Sequence, residues 1–454
     1  MATKPKIAYI CQECGASSPK WIGKCPSCGN WNTYTEEVIA STPSSARNQA
    51  IFTSSSTQTP ILIKDIVERN HERTSTQSME FDRVLGGGVV PGAVILFGGE
   101  PGIGKSTLLL QVAGKYTGTV FYASGEESGE QIKMRATRLK VDDSKIYFIS
   151  DTSCENIINQ ARQLKPDLLI VDSIQTMRVE YIESTSGSIS QIRECAQLLQ
   201  QFAKETATPV IIVGHITKDG SLAGPKVLEH VVDTVLQFEG DMRFYYRILR
   251  AHKNRFGSTS EIGIFEMNEE GLQEVLNPSE FLLANHTEQY SGIATAAAIE
   301  GIRPFMIEVQ ALVSSAVYGT PQRSTTGFDS RRLNMLLAVL EKKVGFKLAT
   351  KDVFLNIAGG IRVSDPTIDL AVAAAILSSD IDRPLRRGDC FVGEIGLSGE
   401  IRPTGRLEQR ISEAAKLGYK RIFAPVQAKG ANRFDKYPIE IKFVEKIEQV
   451  ITNF

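Results

Sequence analysis

The decapeptide GGEPGIGKST, residues 98–107, holds residue types whose spacing handles phosphate. Gly99, Glu100, Pro101, Gly102, Ile103, Gly104, Lys105 and Ser106 fit the pattern G-x-x-x-x-G-K-[ST], and Thr107 follows. The context is also right, with the apolar run GAVILFG before the loop and the helical spacing of STLLLQVAGKY after it. Glycines let backbone N–H groups face phosphate, and a helix N-terminus adds positive potential. Lys105 is predicted to meet the β and γ phosphates of ATP, and Ser106 to ligate Mg2+. The partner carboxylate for the metal is Asp172, which ends the buried-strand pattern LLIVDS. Glu126 and Glu127 close the pattern VFYASGEES, where one carboxylate can polarise an attacking water.

A second set of reactive side chains lies near the N-terminus. Cys11-x-x-Cys14 and Cys25-x-x-Cys28 are separated by ten residues, and each pair is followed by glycine. Two such knuckles predict a closed four-sulfur Zn2+ site of the structural kind, the alternative being a redox pair. Four of the seven cysteines fall in these knuckles and the rest are scattered, which speaks against a secreted disulfide framework. A reducing cytoplasm is the expected location. The first residues lack an apolar signal core. No uncharged apolar run reaches about 18 residues, so no membrane partner is expected. The formal net charge of −1 excludes attraction of the whole chain to nucleic acid, and any basic surface must be local.

These residues need elements to position them. Residues 1–35 read as a zinc-binding module and residues 36–64 as a flexible Ser/Thr-rich linker. Residues 65–275 alternate buried strand patterns with helical ones, which predicts a parallel, helix-covered α/β sheet. Residues 276–454 restart the pattern as a separate α+β domain.

The motifs in this order resemble the RecA superfamily of P-loop ATPases. ASGEES is similar to the segment of RecA-like and DnaB-like proteins that carries the catalytic glutamate, and the match falls on Glu126. IIVGHIT resembles the strand that ends in a γ-phosphate sensor, here His215. KNRFG, with the zinc knuckles and the C-terminal domain, resembles the bacterial RadA (Sms) family of DNA-repair proteins along essentially the whole chain. In RecA-like rings such a basic pair reaches the neighbour's nucleotide, so the resemblance implies that Lys253 and Arg255 act in trans as arginine-finger groups. Direct contact with DNA phosphate is the alternative.

The family resemblance implies an ATP-driven motor or helicase on single-stranded and branched DNA. It also implies a homo-oligomer, a hexameric ring, that promotes branch migration beside the RecA recombinase. A filament-forming strand-exchange recombinase and a non-translocating clamp are the alternatives. Loops bearing Arg178, Tyr181, Lys218 and Lys226 are expected to face DNA, as are Arg323, Arg331 and Arg332. The C-terminal domain resembles the proteolytic domain of Lon, but the serine position falls on Thr367 and the lysine position on Glu408. A hydroxyl nucleophile needs a base, so no peptidase is expected.

Overall fold

The computed structural model describes residues 6–12, 16–39, 62, 72–216, 222–223, 227–240, 246–277, 279, 283, 288–316, 321–360, 363–426 and 434–451. Cys14, Lys218, Lys226 and nearly all of the linker lie outside them. The chain divides into two units. One takes Met1–Glu239, Arg247–Thr259 and Phe265–Glu274, and the other Gly240–Tyr246, Ser260–Ile264 and Val275–Phe454.

At the N-terminus β1 (Lys6–Cys11), β2 (Ser17–Ser18) and β3 (Tyr34–Ile39) form an antiparallel sheet in the order β2-β1-β3. Its core is small: Cys11, Cys25 and Tyr34, with Tyr9, Ala16 and Ile22 packed against them.

The large sheet is built on β4 (Val94–Gly99), β5 (Val120–Ser124), β6 (Ile146–Ser150), β7 (Leu168–Asp172) and β8 (Val210–Ile216). It continues through β9 (Leu222–Ala223), β10 (Thr234–Glu239), β11 (Tyr246–Asn254), β12 (Ile262–Asn268) and β13 (Gly271–Glu274). The strand order is β13-β12-β11-β10-β4-β8-β7-β5-β6, with β9 on β8. From β10 to β6 every pairing is parallel. Both faces are covered: Ile95 and Phe97 of β4 enter one apolar cluster, Val94 and Leu96 the other. Burial on two faces is why β4 reads as an unbroken apolar run and not as an alternation. The helices Gly129–Arg138, Cys154–Leu164 and Ile189–Thr206 each start on a serine, Ser128, Ser153 and Ser188, whose side chain accepts a first-turn N–H. Each cap contributes about 1 kcal/mol.

The second unit holds a seven-stranded mixed sheet. The helix Asp369–Asp380 is buried from Asp369 through Ser378, as its all-round apolar sequence DLAVAAAILS requires. The helix Leu407–Lys416 turns in Leu407, Arg410, Ile411 and Ala414. Arg410 is 4% exposed and donates to Asp365 at 2.7 Å and to the Ala297 carbonyl at 2.6 Å. Asp365 also accepts the backbone N–H groups of Ile299 and Thr367. A buried carboxylate that loses its cation is left desolvated, a defect worth roughly 3–5 kcal/mol. We expect Arg410→Met to destabilise this unit by about 3 kcal/mol or more, read as a drop in the urea midpoint of its unfolding.

Candidate active site

Parallel pairing fixes which strand ends meet. Gly99 sits opposite His215, and Ser124 opposite Asp172. The carboxyl ends of β4, β5, β7 and β8 therefore share one edge, and the loop 100–104 rises from it into the helix Lys105–Lys115.

Gly104, the residue before that helix, has φ 110°, a conformation natural only to glycine. A Cβ there would also lie 2.7 Å from Met267 Cε. Gly99 has no room either, since a Cβ would come within 2.8 Å of the Phe238 carbonyl oxygen. Buried Arg247 donates Nε to the Ile103 carbonyl at 3.4 Å and so ties the loop down from β11.

Lys105 is nearly buried. Its Nζ donates to the carbonyls of Gly99 and Glu100, both at 2.9 Å, and lies 3.1 Å from His215 Nδ1. Burial pushes the ammonium down to about 8, against the opposing pull of Asp172, Glu126 and Glu100. Asp172 accepts the Tyr122 hydroxyl at 2.7 Å and is hydrogen-bonded to the Ser106 side chain. Its burial raises its pKa above the usual carboxylate value, and those two hydrogen bonds only partly offset the rise. A desolvated carboxylate beside a hydroxyl at the phosphate loop is a donor set that suits Mg2+.

Glu126 and Glu127 diverge. Glu126 accepts the Ser173 hydroxyl and stands 3.4 Å from His215 Nε2. Glu127 pairs with Arg135 at 2.6 Å on the next helix. Lys105, Glu126, Asp172, Ser106 and His215 thus come together, while Glu127 turns to a structural partner. Tyr122, Ser173 and Arg247 complete the arrangement and were not anticipated. The available signal was Tyr122 itself, a phenol inside a fully buried strand, which must find a hydrogen-bond partner.

Lys253 and Arg255 are not part of this cluster. Thr234 of β10 pairs with Ile95, and Phe238 with Gly99, so the β10 residue facing Lys253, Val235, lies toward the amino end of β4. The strand runs to Asn254, so Lys253 is inside it and Arg255 just beyond. A bulge at Val235/Leu236 breaks the alternation there. Lys253 Nζ donates to the carbonyls of Glu229 (2.5 Å) and Val232 (2.8 Å), at the end of the short helix Val227–Val231. Arg255 is half-exposed and pairs with Asp233 at 3.1 Å.

In the N-terminal module the sulfurs of Cys11, Cys25 and Cys28 lie within 4.8 Å of one another, Cys11 and Cys28 at 3.7 Å. Sulfurs about 2.3 Å from one tetrahedral ion stand about 3.8 Å apart, so the spacing fits such a centre.

Three family models match: the rubredoxin metal-binding domain over residues 9–36, an AAA domain over 71–221, and subunit ChlI of Mg-chelatase over 309–428. DNA repair protein RadA of Bacillus subtilis is 50% identical over 425 residues, 93% of each chain. That of Listeria monocytogenes is 47% identical over 452 residues, 99% of this chain and 98% of that one. The chain belongs to the RadA family of DNA repair proteins. The RadB recombinase structure aligns over 44% of this RadA-family chain at 22% identity with a TM-score of 0.37, too slight a likeness to bear on the argument.

The AAA match covers the phosphate loop, Glu126, Asp172 and His215, and identifies the large sheet as the RadA-family ATPase core. Several expected DNA contacts are otherwise engaged. Tyr181 is half-buried against the core and donates to Glu194 at 2.7 Å, so it is no open stacking platform. Arg332 is bound to the buried carboxylate of Asp369 and reaches Glu394, so it holds the C-terminal unit together. Arg178, Arg323 and Arg331 are exposed. Thr367 is buried, and among the described residues its hydroxyl has no hydrogen-bond partner. Glu408 pairs with Lys436 at 2.7 Å.

Polyphosphate favours the charged form of Lys105, so its binding above pH 8 takes up a proton. We expect affinity for ATP to fall as pH rises from about 8, by up to roughly tenfold per pH unit. Calorimetry in buffers of different ionisation enthalpy reads the proton directly. Lys105→Met should abolish that uptake and nearly all turnover.

Proposed function

We propose that this chain is an ATP-driven motor that moves on single-stranded and branched DNA and promotes branch migration in homologous recombination and repair. The observation that carries this reading is the division of charged groups between two edges of one sheet. The phosphate loop, Glu126, Asp172 and His215 occupy one edge, and Lys253 and Arg255 the other. A single subunit cannot bring its own Arg255 to its own nucleotide. A head-to-tail neighbour can, as repeated heterologous contacts in a ring allow.

In this reading Lys105 binds the β and γ phosphates, and Ser106 and Asp172 hold Mg2+. The loop residues 99–107 supply the surrounding backbone. Held there, Mg2+ would supply neutralisation of phosphate charge. Glu126, steered by the Ser173 hydroxyl, takes the proton of the attacking water, while His215 links that carboxylate to Lys105. Arg255 leaves Asp233 to meet charge developing on the neighbour's γ phosphate, and Lys253 supports it. The assembly is a hexameric ring in the cytoplasm and works beside RecA. The C-terminal unit is a scaffold, not a peptidase: among the described residues no base meets the Thr367 hydroxyl, and Glu408 is taken up by Lys436.

Unwinding of forked DNA of both polarities, with ATP or a non-hydrolysable analogue, tests the motor. We expect displacement with ATP only. Hydrolysis without displacement on either fork would favour a clamp, and filaments in place of rings would favour a recombinase. Lys105→Ala and Arg255→Ala should each lower turnover, Arg255→Ala by roughly 10³-fold, and mixed rings of the two should regain part of it. Hetero-oligomers that stay inactive at every ratio would assign Arg255 to DNA instead.

The N-terminal module holds one Zn2+ on Cys11, Cys14, Cys25 and Cys28. We expect one equivalent of zinc by metal analysis. Cys25→Ser should lose the metal and the fold of this small module while the ATPase core keeps its basal turnover.

A further inference from the structure

Both tryptophans of the chain, Trp21 and Trp31, stand on the N-terminal module, and both are exposed, at 53% and 68%. Neither belongs to the small core around Cys11, Cys25 and Tyr34. Indoles carry large apolar faces, and adjacent exposed ones form the kind of patch that marks an interaction surface. The two rings are also neighbours. A Cβ placed on Gly23 would lie 3.7 Å from Trp21 and 3.8 Å from Trp31, so the missing side chain leaves a shared open face. The rings are oriented in advance. Trp21 donates its indole N–H to the Tyr34 carbonyl at 3.2 Å, and Trp31 is bridged to Lys24 across a short antiparallel contact.

The segment that carries these rings bears charge of one sign. Lys24 Nζ lies 5.6 Å from the centroid of the Trp31 ring, and Lys20 is exposed next to Trp21. From Ala16 to Thr35 the sequence carries these two lysines and no carboxylate. Glu36, the next acid, accepts the Tyr9 hydroxyl at 3.1 Å. Paired aromatic faces flanked by cations are the arrangement that takes unstacked bases with their phosphates. We propose that Trp21 and Trp31 form a base-stacking platform for single-stranded nucleic acid, with Lys20 and Lys24 on the backbone. The ammonium of Lys24 moves from the ring to a phosphate as a base takes its place. This inference rests on the reading of the chain as a DNA-binding protein.

Because these are the only tryptophans, intrinsic tryptophan emission of the full chain reports on this face alone. The test titrates the intact, zinc-loaded protein with a fluorescein-labelled oligothymidylate. Anisotropy of the label reads binding anywhere on the chain, and a parallel titration with unlabelled oligothymidylate reads tryptophan emission. We expect emission to be quenched along the same isotherm, and the quenching to be reversed by salt. Trp31→Ala should weaken binding by roughly fivefold or more, and Trp31→Phe should restore most of it. Trp21→Phe, which leaves Trp31 as sole reporter, should keep the quenching. Zinc content confirms that each variant is folded. Binding by anisotropy with unmoved emission overturns this inference and leaves the motor reading standing. Absence of any binding overturns both. Emission that responds to a protein partner and not to oligonucleotide would make this a protein-docking face instead.

Discussion

Parallel register is the constraint on which the rest depends. Strands from β10 to β6 all run one way, so every carboxyl end is delivered to one edge. Gly99 beside His215 and Ser124 beside Asp172 are consequences of that alignment. A slip of one residue would turn each side chain to the opposite face. The two apolar clusters fix the register, because β4 sends alternate residues into each. Packing and chemistry are therefore one specification.

The polar cluster on that edge is tightly coupled. Lys105 satisfies its protons on two carbonyls and His215, His215 reaches Glu126, and Ser173 donates to the same carboxylate. Asp172 is braced separately through Tyr122 and Ser106. A phosphate group entering beside Lys105 competes with acceptors already in place. Lys105 and His215 share a hydrogen bond, and His215 in turn reaches Glu126, so in the proposed reading that arrival would be felt at both.

The phosphate loop, the strand carrying Asp172 and the pair Glu126 and Glu127 were legible because each lies at the end of an apolar run, where a polar residue stands out. Which of Glu126 and Glu127 faces the cluster needed a family likeness, and the Arg135 ion pair gives the physical reason. Tyr122, Ser173 and Arg247 were not legible. Their partners are 50, 47 and 144 residues away, and no local spacing encodes such contacts. Arg332 misled for the converse reason. It reads as a helix-surface cation, and only the tertiary fold brings it to buried Asp369. The parallel core of the sheet was legible, but the strands added beyond it, β11 to β13, were not all evident as such. Nor was the bulge between Lys253 and Ala251.

Asp233 holds more than an arginine. One of its oxygens takes Arg255, and the other accepts the N–H of Val94, the first residue of the strand that ends at the phosphate loop. Without Arg255, this mostly buried carboxylate would keep only part of its hydrogen bonding, a loss of about 1–3 kcal/mol. The guanidinium is accordingly latched and not loose. The side chain that the proposed reading would send to a neighbouring subunit is thus one that, through Asp233, helps fix the start of the strand leading to the phosphate loop.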